Sequence, residues 1–357
     1  MRRVWGAVSF DLEVSPMLLT RALATTTGAS MILVAGLGVG PAVAAPPSNG
    51  TVTWATDLAT VVGTGLDATS VAAGKDAAFS GTSAGVVVAA DAATGVPLWM
   101  TDVTGGAGSP VEVSGVAFGR DVVVAGTSTG EATAMDAATG LVRWATDVAG
   151  VLGTDLAVTS VAADKSTVAV GTSTGVVVAF DAATGLLLWA TDVTGGAGSP
   201  VEVSGVAFGK DVVVAGTSTG GATAMDAATG LVRWATDVAG VLGTDLAVTS
   251  VAADKSTVAV GTSTGVVVAF DAATGLLLWA TDVTGGAGSP VEVSGVAFGK
   301  DVVVAGTSTG EATAMDAATG ALWWVTDVGS GSAVLGVAAE KSRAYAAIAG
   351  GALVALD

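Results

Sequence analysis

Tryptophan recurs at one fixed interval through most of this chain. Seven tryptophans are each separated by 45 residues, and they are Trp54, Trp99, Trp144, Trp189, Trp234, Trp279 and Trp324. Each is followed by Thr at the second position and Asp at the third. A period of roughly 20–50 residues indicates a solenoid or a propeller, because each repeat is one structural unit packed against its neighbours.

The content of one period favours a propeller. Between Trp144 and Trp189 the sequence has four Val-, Leu- and Ala-rich runs, separated by short turns rich in Gly, Asp and Ser. Such runs and turns are typical of β-hairpins, and no segment combines helical periodicity with helix length. We predict strands at about 157–163, 167–172, 175–180 and 186–190. Four antiparallel strands in each period of this length correspond to one propeller blade.

The two ends of the repeat region complement each other. After Trp324 the sequence predicts three strands, near 333–339, 344–349 and 351–356, and then stops at Asp357. The missing fourth strand is present at 51–54, which ends at Trp54. We therefore predict an all-β, seven-bladed β-propeller of four-stranded antiparallel blades, whose ring is closed by the N-terminal strand. Such closure hides the edges that incomplete sheets would expose.

The blades are close copies of one another, in two alternating types. Residues 132–220 are identical to residues 222–310, which indicates recent duplication of a two-blade unit. Identical blades present identical surfaces, so a single asymmetric catalytic site is difficult to build on them. We therefore predict that the protein is not an enzyme.

Six blades share the element Ala-x-Asp-Ala-Ala-Thr-Gly-x-x-x-Trp. Its Asp can accept hydrogen bonds from the turn, its Gly permits positive φ, and its Trp fills the gap between blades. The element resembles the tryptophan-docking repeat of the pyrroloquinoline-quinone (PQQ)-like propeller family, which includes quinoprotein dehydrogenases and the propeller lipoprotein of the Bam complex. The resemblance implies a structural docking role for the seven tryptophans, for Asp91, Asp136, Asp181, Asp226, Asp271 and Asp316, and for Gly95, Gly140, Gly185, Gly230, Gly275 and Gly320.

The family's enzymes are a weaker match than its fold. The resemblance implies eight blades, a vicinal disulfide and an Asn calcium ligand for those enzymes, whereas this chain predicts seven blades. It has no Cys or His, and its one Asn, Asn49, precedes the repeats. We therefore expect no quinone cofactor and no metal. The missing residue types also exclude a thiolate nucleophile, a Cys/His zinc site and a Ser-His-Asp triad.

The first 50 residues lack the repeat pattern and resemble an export signal. A short apolar run at 31–40 follows Arg21 and precedes Ala42-Val43-Ala44, a small-residue cleavage pattern. Met17 is a possible true start. A retained membrane anchor and a twin-arginine signal from Arg2-Arg3 are alternatives. We predict a secreted or periplasmic protein with a signal peptide at 1–44, a linker at 45–50 and the propeller at 51–357.

Carboxylates dominate the charge of this chain. There are 31 Asp and Glu against 13 Lys and Arg, a net charge of −18, which disfavours nucleic acid and anionic membranes as partners. We expect the Asp three residues after each docking Trp to cap a loop, with a ring of cation ligands as the alternative. Carboxylates before the inner strands form a candidate acidic rim at the channel mouth, which is either simply solvated or selective for cations. The rim comprises Glu112, Glu202, Glu292, Asp155 and Asp245. Asp67 has the corresponding place in the first blade.

Together these features predict a non-enzymatic, exported scaffold that binds a protein or, weakly, a cationic ligand. We expect it to be a monomer that does not insert stably into membranes after cleavage. One alternative is a lectin-like module that uses Trp323 and Tyr345 as sugar platforms. Another is a carboxylate-dependent hydrolase or a degenerate quinoprotein oxidoreductase. Glycine loops such as 105–108 and 150–153 are interpreted as turns and not as phosphate cradles, since none is followed by a helix.

Overall fold

The computed structural model describes residues 23–26, 29–32, 50–63, 66–105, 111–196, 201–285 and 291–357. Its first two strands, β1 (Leu23–Thr26) and β2 (Ala29–Ile32), pair only with each other. The rest of the predicted signal peptide and the linker up to Asn49 lie outside the described residues. Residues 50–357 form seven four-stranded antiparallel sheets, which confirms the predicted fold.

Each blade runs from the channel outwards in the order first, second, third and fourth strand. The fourth strand of blade 7 is β3 (Val52–Asp57). Blade 1 comprises β4 (Ala68–Ala73), β5 (Ala77–Thr82), β6 (Val86–Asp91) and β7 (Pro97–Asp102). Blade 2 comprises β8 (Val113–Gly119), β9 (Val122–Thr127), β10 (Glu131–Asp136) and β11 (Val142–Asp147). Blade 3 comprises β12 (Val158–Ala163), β13 (Thr167–Thr172), β14 (Val176–Asp181) and β15 (Leu187–Asp192).

Blades 4 to 7 repeat this arrangement, and the strands of blade 3 lie within two residues of their predicted bounds. Blade 4 comprises β16 (Val203–Phe208), β17 (Val212–Thr217), β18 (Gly221–Asp226) and β19 (Val232–Asp237). Blade 5 comprises β20 (Val248–Ala253), β21 (Thr257–Thr262), β22 (Val266–Asp271) and β23 (Leu277–Asp282). Blade 6 comprises β24 (Val293–Phe298), β25 (Val302–Thr307), β26 (Glu311–Asp316) and β27 (Leu322–Asp327). Blade 7 comprises β28 (Val334–Glu340), β29 (Arg343–Ile348), β30 (Ala352–Leu356) and β3.

The N-terminal strand closes the ring as predicted. Strand β3 pairs antiparallel with β30, with Trp54 opposite Ala355. Thr51 and Asp357 also exchange two backbone hydrogen bonds of 3.1 Å. The first and last strands of the propeller sequence therefore satisfy each other's backbone donors and acceptors.

A belt of hydroxyl groups links the first strands around the channel. In five blades the second residue of the first strand is a Ser or Thr whose hydroxyl donates a hydrogen bond to a Val carbonyl of the following blade. These residues are Thr69, Ser114, Thr159, Ser204 and Thr249. The first strands contact one another in sequence, and β28 contacts β4. The belt thus uses polar side chains to hold the blades together.

Seven apolar clusters, one at each interface between blades, form the core. The cluster between blades 7 and 1 contains Trp54, Leu58 and Tyr345, and the one between blades 2 and 3 contains Phe180. The other interfaces have equivalent clusters of Val, Ala, Met and Trp. The core is therefore distributed around the ring, and each blade depends on both of its neighbours.

Some of the loops between blades, which were predicted to be turns, contain short helices. They are α1 (Ala59–Val62), α2 (Val148–Leu152) and α3 (Val238–Leu242), each between a fourth strand and the next blade. The segment 150–153, interpreted as a turn, contains the end of α2. Asp147 caps this helix by accepting a hydrogen bond from the Gly150 N–H, and Gly153 ends it at a φ of +69°. Within the described residues, no helix is both long enough and apolar enough to span a membrane.

Candidate functional site

The contacts of Trp189 show how adjacent blades dock. Its Nε1–H donates to the carbonyl of Ala227 at 3.0 Å, and the Thr191 hydroxyl donates to the carbonyl of Gly230 at 2.8 Å. The indole lies so close to Gly230 that an added Cβ would be 2.7 Å from the ring. Gly230 also has a φ of +72°. This position therefore needs glycine both for backbone conformation and for space.

The aspartate of the docking turn holds the turn in shape. Asp226 Oδ1 accepts hydrogen bonds from the backbone N–H groups of Ala228 and Thr229 and from the Thr229 hydroxyl. Its other oxygen accepts from Arg233 at 2.6 Å. These hydrogen bonds, above all those from Arg233 and then Thr229, lower the pKa of Asp226 from 3.8 to about 2. Hydrogen bonds also lower the pKa of the corresponding turn residues, which are Asp91, Asp136, Asp181 and Asp271.

The lowered pKa values predict how acid acts on the fold. Asp136 and Asp226 add stability above their ordinary pKa of 3.8, and this stability is lost as the pH falls towards about 2. Replacing Arg143 and Arg233 together by Gln should raise both pKa values, so acid unfolding should begin at a higher pH. Tryptophan fluorescence against pH measures the midpoint. Arg120→Gln combined with Lys210→Gln is the matched control, because it also removes two cations and neither makes an ion pair among the described residues. An equal shift in the control would contradict the explanation.

Gly50 completes the docking turn of the seventh interface. It has a φ of +68°, and an added Cβ would lie 2.8 Å from the Trp324 ring. Thr326 donates to its carbonyl at 3.0 Å. Gly50 lies in the predicted linker, although its spacing to Trp54 equals that from Gly95 to Trp99 in blade 1. The seventh docking motif is therefore divided between the two ends of the propeller sequence: Gly50 and Trp54 lie in the first part, and Asp357 lies in the second.

Blade 7 has further contacts, made by Arg343, that were not predicted from the sequence. Arg343 makes two hydrogen bonds, of 2.6 and 3.0 Å, to the Asp357 carboxylate. A third donor of the same guanidinium reaches the Ala92 carbonyl of blade 1 at 2.7 Å. Trp54 Nε1 donates to this carbonyl as well, at 3.1 Å. The side chain of the last residue is thus attached to the junction of blades 7 and 1.

The two aromatic residues that the lectin-like alternative would use as sugar platforms do not form one. Tyr345 is only 2% exposed and lies 5.9 Å from the Trp54 ring, because it belongs to the second strand of blade 7 and packs in the cluster between blades 7 and 1. Trp323 is half-buried and packs against the cluster between blades 6 and 7. The structure therefore corrects the assignment of these side chains to exposed loops.

The alternation of strand direction sorts the charges onto two faces. We define the upper face by the loops between blades and the turns between second and third strands, and the lower face by the other turns. Among the described residues the upper face has no Lys or Arg. It has 15 carboxylates, which are Asp57, Asp67, Asp102, Glu112, Glu131, Asp147, Asp155, Asp192, Glu202, Asp237, Asp245, Asp282, Glu292, Glu311 and Asp327.

The lower face contains charges of both signs. All ten described cations lie there, namely Lys75, Arg120, Arg143, Lys165, Lys210, Arg233, Lys255, Lys300, Lys341 and Arg343. They face 14 carboxylates, which are the six docking aspartates and Asp76, Asp121, Asp164, Asp211, Asp254, Asp301, Glu340 and Asp357. The formal charge is therefore −15 on the upper face and 10 − 14 = −4 on the lower face.

The five rim carboxylates all lie on the upper face, in loops that lead to first strands. Glu112 is exposed, and its backbone N–H donates to Ser128 Oγ at 3.1 Å. Asp155 lies in a shallow depression beside the same turn of blade 2. In the first blade, Asp67 instead accepts a hydrogen bond from the Gly350 N–H at 2.6 Å. Burial, together with the nearby charge of Asp147, raises the pKa of Glu131.

The aspartates that follow the docking tryptophans cap the loops between blades. In all seven, Oδ1 accepts a backbone N–H two or three residues later, at Asp57, Asp102, Asp147, Asp192, Asp237, Asp282 and Asp327. Their carboxylates belong to separate loops. Among the described residues, no three or more His, Cys, Asp or Glu side chains are close enough together to hold a metal ion.

The upper face does not fit a PQQ cofactor. The quinone carries carboxylate groups, and Arg or Lys side chains are the usual partners of such groups. The described residues of the upper face include neither, and a net charge of −15 would repel the cofactor. The residue types on this face fit a cationic ligand better than an anionic one.

Comparisons with known proteins agree with this architecture. The family model described as "Outer membrane protein assembly factor BamB" matches residues 40–195, 111–254 and 242–357. BamB from Moraxella catarrhalis is 19% identical, with a TM-score of 0.55 over 91% of this chain and 97% of that chain. The designed protein Ika8 is 21% identical, with a TM-score of 0.58 over 81% and 96%.

A third solved structure is similar in the same way. The β-propeller domain of Cps50 (Swd1) from Myceliophteria thermophila is 14% identical, with a TM-score of 0.65 over 81% of this chain and 95% of that domain. At these identities the likeness to solved structures shows the fold alone. No match was found among curated proteins.

Proposed function

Because this chain belongs to the PQQ-like propeller family described as outer membrane protein assembly factor BamB, we propose that it is a non-enzymatic, exported scaffold that holds partner proteins. Its upper face takes basic segments of those partners. The observation that carries this proposal is the segregation of charge, with 15 carboxylates and no described cation on one face.

Electrostatics supports the upper face as the binding surface. Each exposed carboxylate is screened within a Debye length of about 8 Å at physiological salt. Charges that surround one channel mouth nevertheless add up, and a surface of one sign attracts ligands of the other. Because the carboxylates are spread over seven blades, binding should be multivalent and sensitive to salt. A flexible segment rich in Lys or Arg is the partner chemistry that fits this pattern.

Two sequence features support the other parts of the proposal. Blades that are copies of each other offer the same groups several times, whereas a catalytic pair of carboxylates needs two different environments. The apolar run at 31–40 and the Ala-Val-Ala pattern at 42–44 favour export. Both features suit a scaffold outside the cytoplasm.

The test replaces Glu112, Glu202 and Glu292 together by Gln, which removes three charges and preserves side-chain shape. The probe is a peptide of eight lysines, titrated by calorimetry into the purified chain. We expect the affinity to fall about fivefold in low salt, because each exposed charge contributes a few tenths of a kcal/mol. The difference should shrink at about 150 mM salt because of screening.

A matched control removes the same number of charges from the lower face, by changing Asp76, Asp211 and Asp301 to Asn. This control has the same net charge as the upper-face variant, so the long-range attraction of the peptide to the whole molecule is equal in the two variants. The proposal requires the upper-face variant to bind the peptide more weakly than the control. Equal affinities would leave the upper-face carboxylates with a role in solubility alone.

A further inference from the structure

A cavity of about 530 Å³ lies on the lower face between blades 1 and 2. Its floor is Phe118 of blade 2, which is partly buried and stacks on Phe79 of blade 1, with ring centroids 5.3 Å apart. Phe79 is only 2% exposed and supports this floor from the core. Leu98, which is 55% exposed, forms part of the wall. The volume lies within the range of small-ligand sites, roughly 300–1,000 Å³. The proposed binding of basic segments does not involve this cavity, since they would bind the opposite face.

The charges around the cavity leave a guanidinium available. Asp121 and Asp136 both line it, but both already accept hydrogen bonds from Arg143, at 3.0 and 2.7 Å. Arg120 also lines the cavity and has no carboxylate within 4.0 Å among the described residues. Lys75 adds a second cation at the edge, but it lies 4.0 Å from the carboxylate of Asp76, which also lines the cavity. The site thus combines an aromatic floor with an unpaired arginine.

The chain provides two internal comparisons for this site. The same type of interface occurs between blades 3 and 4 and between blades 5 and 6, at intervals of 90 residues. Leu98 and Phe118 have identical counterparts there. Five other lining residues differ: Gly74 is replaced by Asp164 and Asp254, Asp76 by Ser166 and Ser256, Ala77 by Thr167 and Thr257, Phe79 by Ala169 and Ala259, and Arg120 by Lys210 and Lys300.

The substitutions at positions 74 and 79 depend on each other. A Cβ on Gly74 would lie 3.2 Å from both phenyl rings, so glycine relieves crowding at the point where Phe79 is present. At the corresponding place in blade 3, the Asp164 carboxylate binds the backbone N–H groups of its own turn, including that of Ser166 at 2.8 Å. Compared with blade 3, blade 1 therefore has its turn carboxylate two residues later, at Asp76, and has gained an aromatic ring, Phe79.

We propose that this cavity binds a small amphipathic anion. Its aromatic or other apolar body packs on Phe118 and Leu98, with Phe79 beneath, and its carboxylate or similar oxyanion binds Arg120. A guanidinium suits this role because its planar set of donors can bind two oxygens of an oxyanion at once. The apolar floor contributes affinity by removing hydrocarbon from water.

The probe for this site is 2-naphthoate, titrated by calorimetry into the purified full-length chain. We expect one site with a dissociation constant of about 0.1–1 mM, as is usual for a ligand of about a dozen heavy atoms. The uncharged analogue 2-naphthylmethanol should bind at least about fivefold more weakly. Arg120→Gln should reduce naphthoate affinity to that of the alcohol. Absence of saturable naphthoate binding up to about ten times the expected constant overturns the proposal.

The decisive variant combines Gly74→Asp, Phe79→Ala and Arg120→Lys. It introduces residues that the chain already holds twice at equivalent interfaces, so the fold should be kept, and an unchanged thermal transition would show this. Naphthoate affinity should fall at least about tenfold. Unchanged affinity in this variant would place the binding elsewhere and overturn the assignment. The outcome is independent of the lysine-peptide experiment, because no upper-face residue is altered.

Discussion

Removal of residues 51–57 should produce dimers and larger aggregates, whereas we expect the unaltered protein to be a monomer. The deletion takes away β3, so the backbone groups of β30 that pair with it become a free sheet edge. Exposed edges pair readily with strands of other molecules. It also removes Trp54, which is 2% exposed, and such a loss alone costs about 3–5 kcal/mol. This is a large part of the roughly 5–15 kcal/mol by which proteins are stable. Size-exclusion chromatography with light scattering measures the result.

The matched control for this deletion is Trp54→Ala in the full-length chain. This variant loses the same indole from the interface between blades 7 and 1 but retains β3 and its pairing with β30. It should therefore be less stable than the natural chain while remaining a monomer. A deletion variant that stays monomeric would contradict closure of the ring by the N-terminal strand. Aggregation of both variants would show that loss of docking, and not the exposed edge, is the cause.

Trp189→Ala should lower the free energy of unfolding by about 3–5 kcal/mol. The substitution leaves a void in the cluster between blades 3 and 4 and removes the hydrogen bond to the Ala227 carbonyl. Denaturant titration followed by circular dichroism measures the change. Trp279 has the same neighbours two blades further on, so Trp279→Ala should have an equal effect. A change below about 1 kcal/mol in either variant would contradict the docking role.

Two glycines provide a separate test of the same interface. Gly230 and Gly196 both have positive φ, +72° and +78°. A Cβ on Gly230 would collide with the Trp189 ring, whereas a Cβ on Gly196 would meet no atom of the described residues within 4 Å. Gly196→Ala should therefore cost only about 1 kcal/mol of backbone strain, and Gly230→Ala should cost clearly more. Equal losses would mean that Trp189 does not pack tightly on the turn.

The docking turns illustrate how much of the site could be predicted from sequence. Hydrogen bonds between Asp226 and Thr229 span three residues, so the local motif contains everything they need. The contact of Arg343 with Ala92 spans 251 positions. Arg343 falls in the incomplete last repeat, which lacks the shared motif, and no periodic signal marked it. Gly50 did have a signal, its spacing to Trp54, but its partner Trp324 is at the other end of the chain.

The sequence alone determined the number of blades, the strands within each blade and the closure of the ring. These features follow from hydrophobic alternation, turn residues and a constant period, which are local properties that repeat seven times. Only the tertiary structure decided which side chains share a surface. The direction of successive strands brings all described cations to one face, and the ring places Phe79 on Phe118, which lies in another blade. Such proximity depends on the packing of blades against each other, because residues far apart in sequence meet only when the ring is closed.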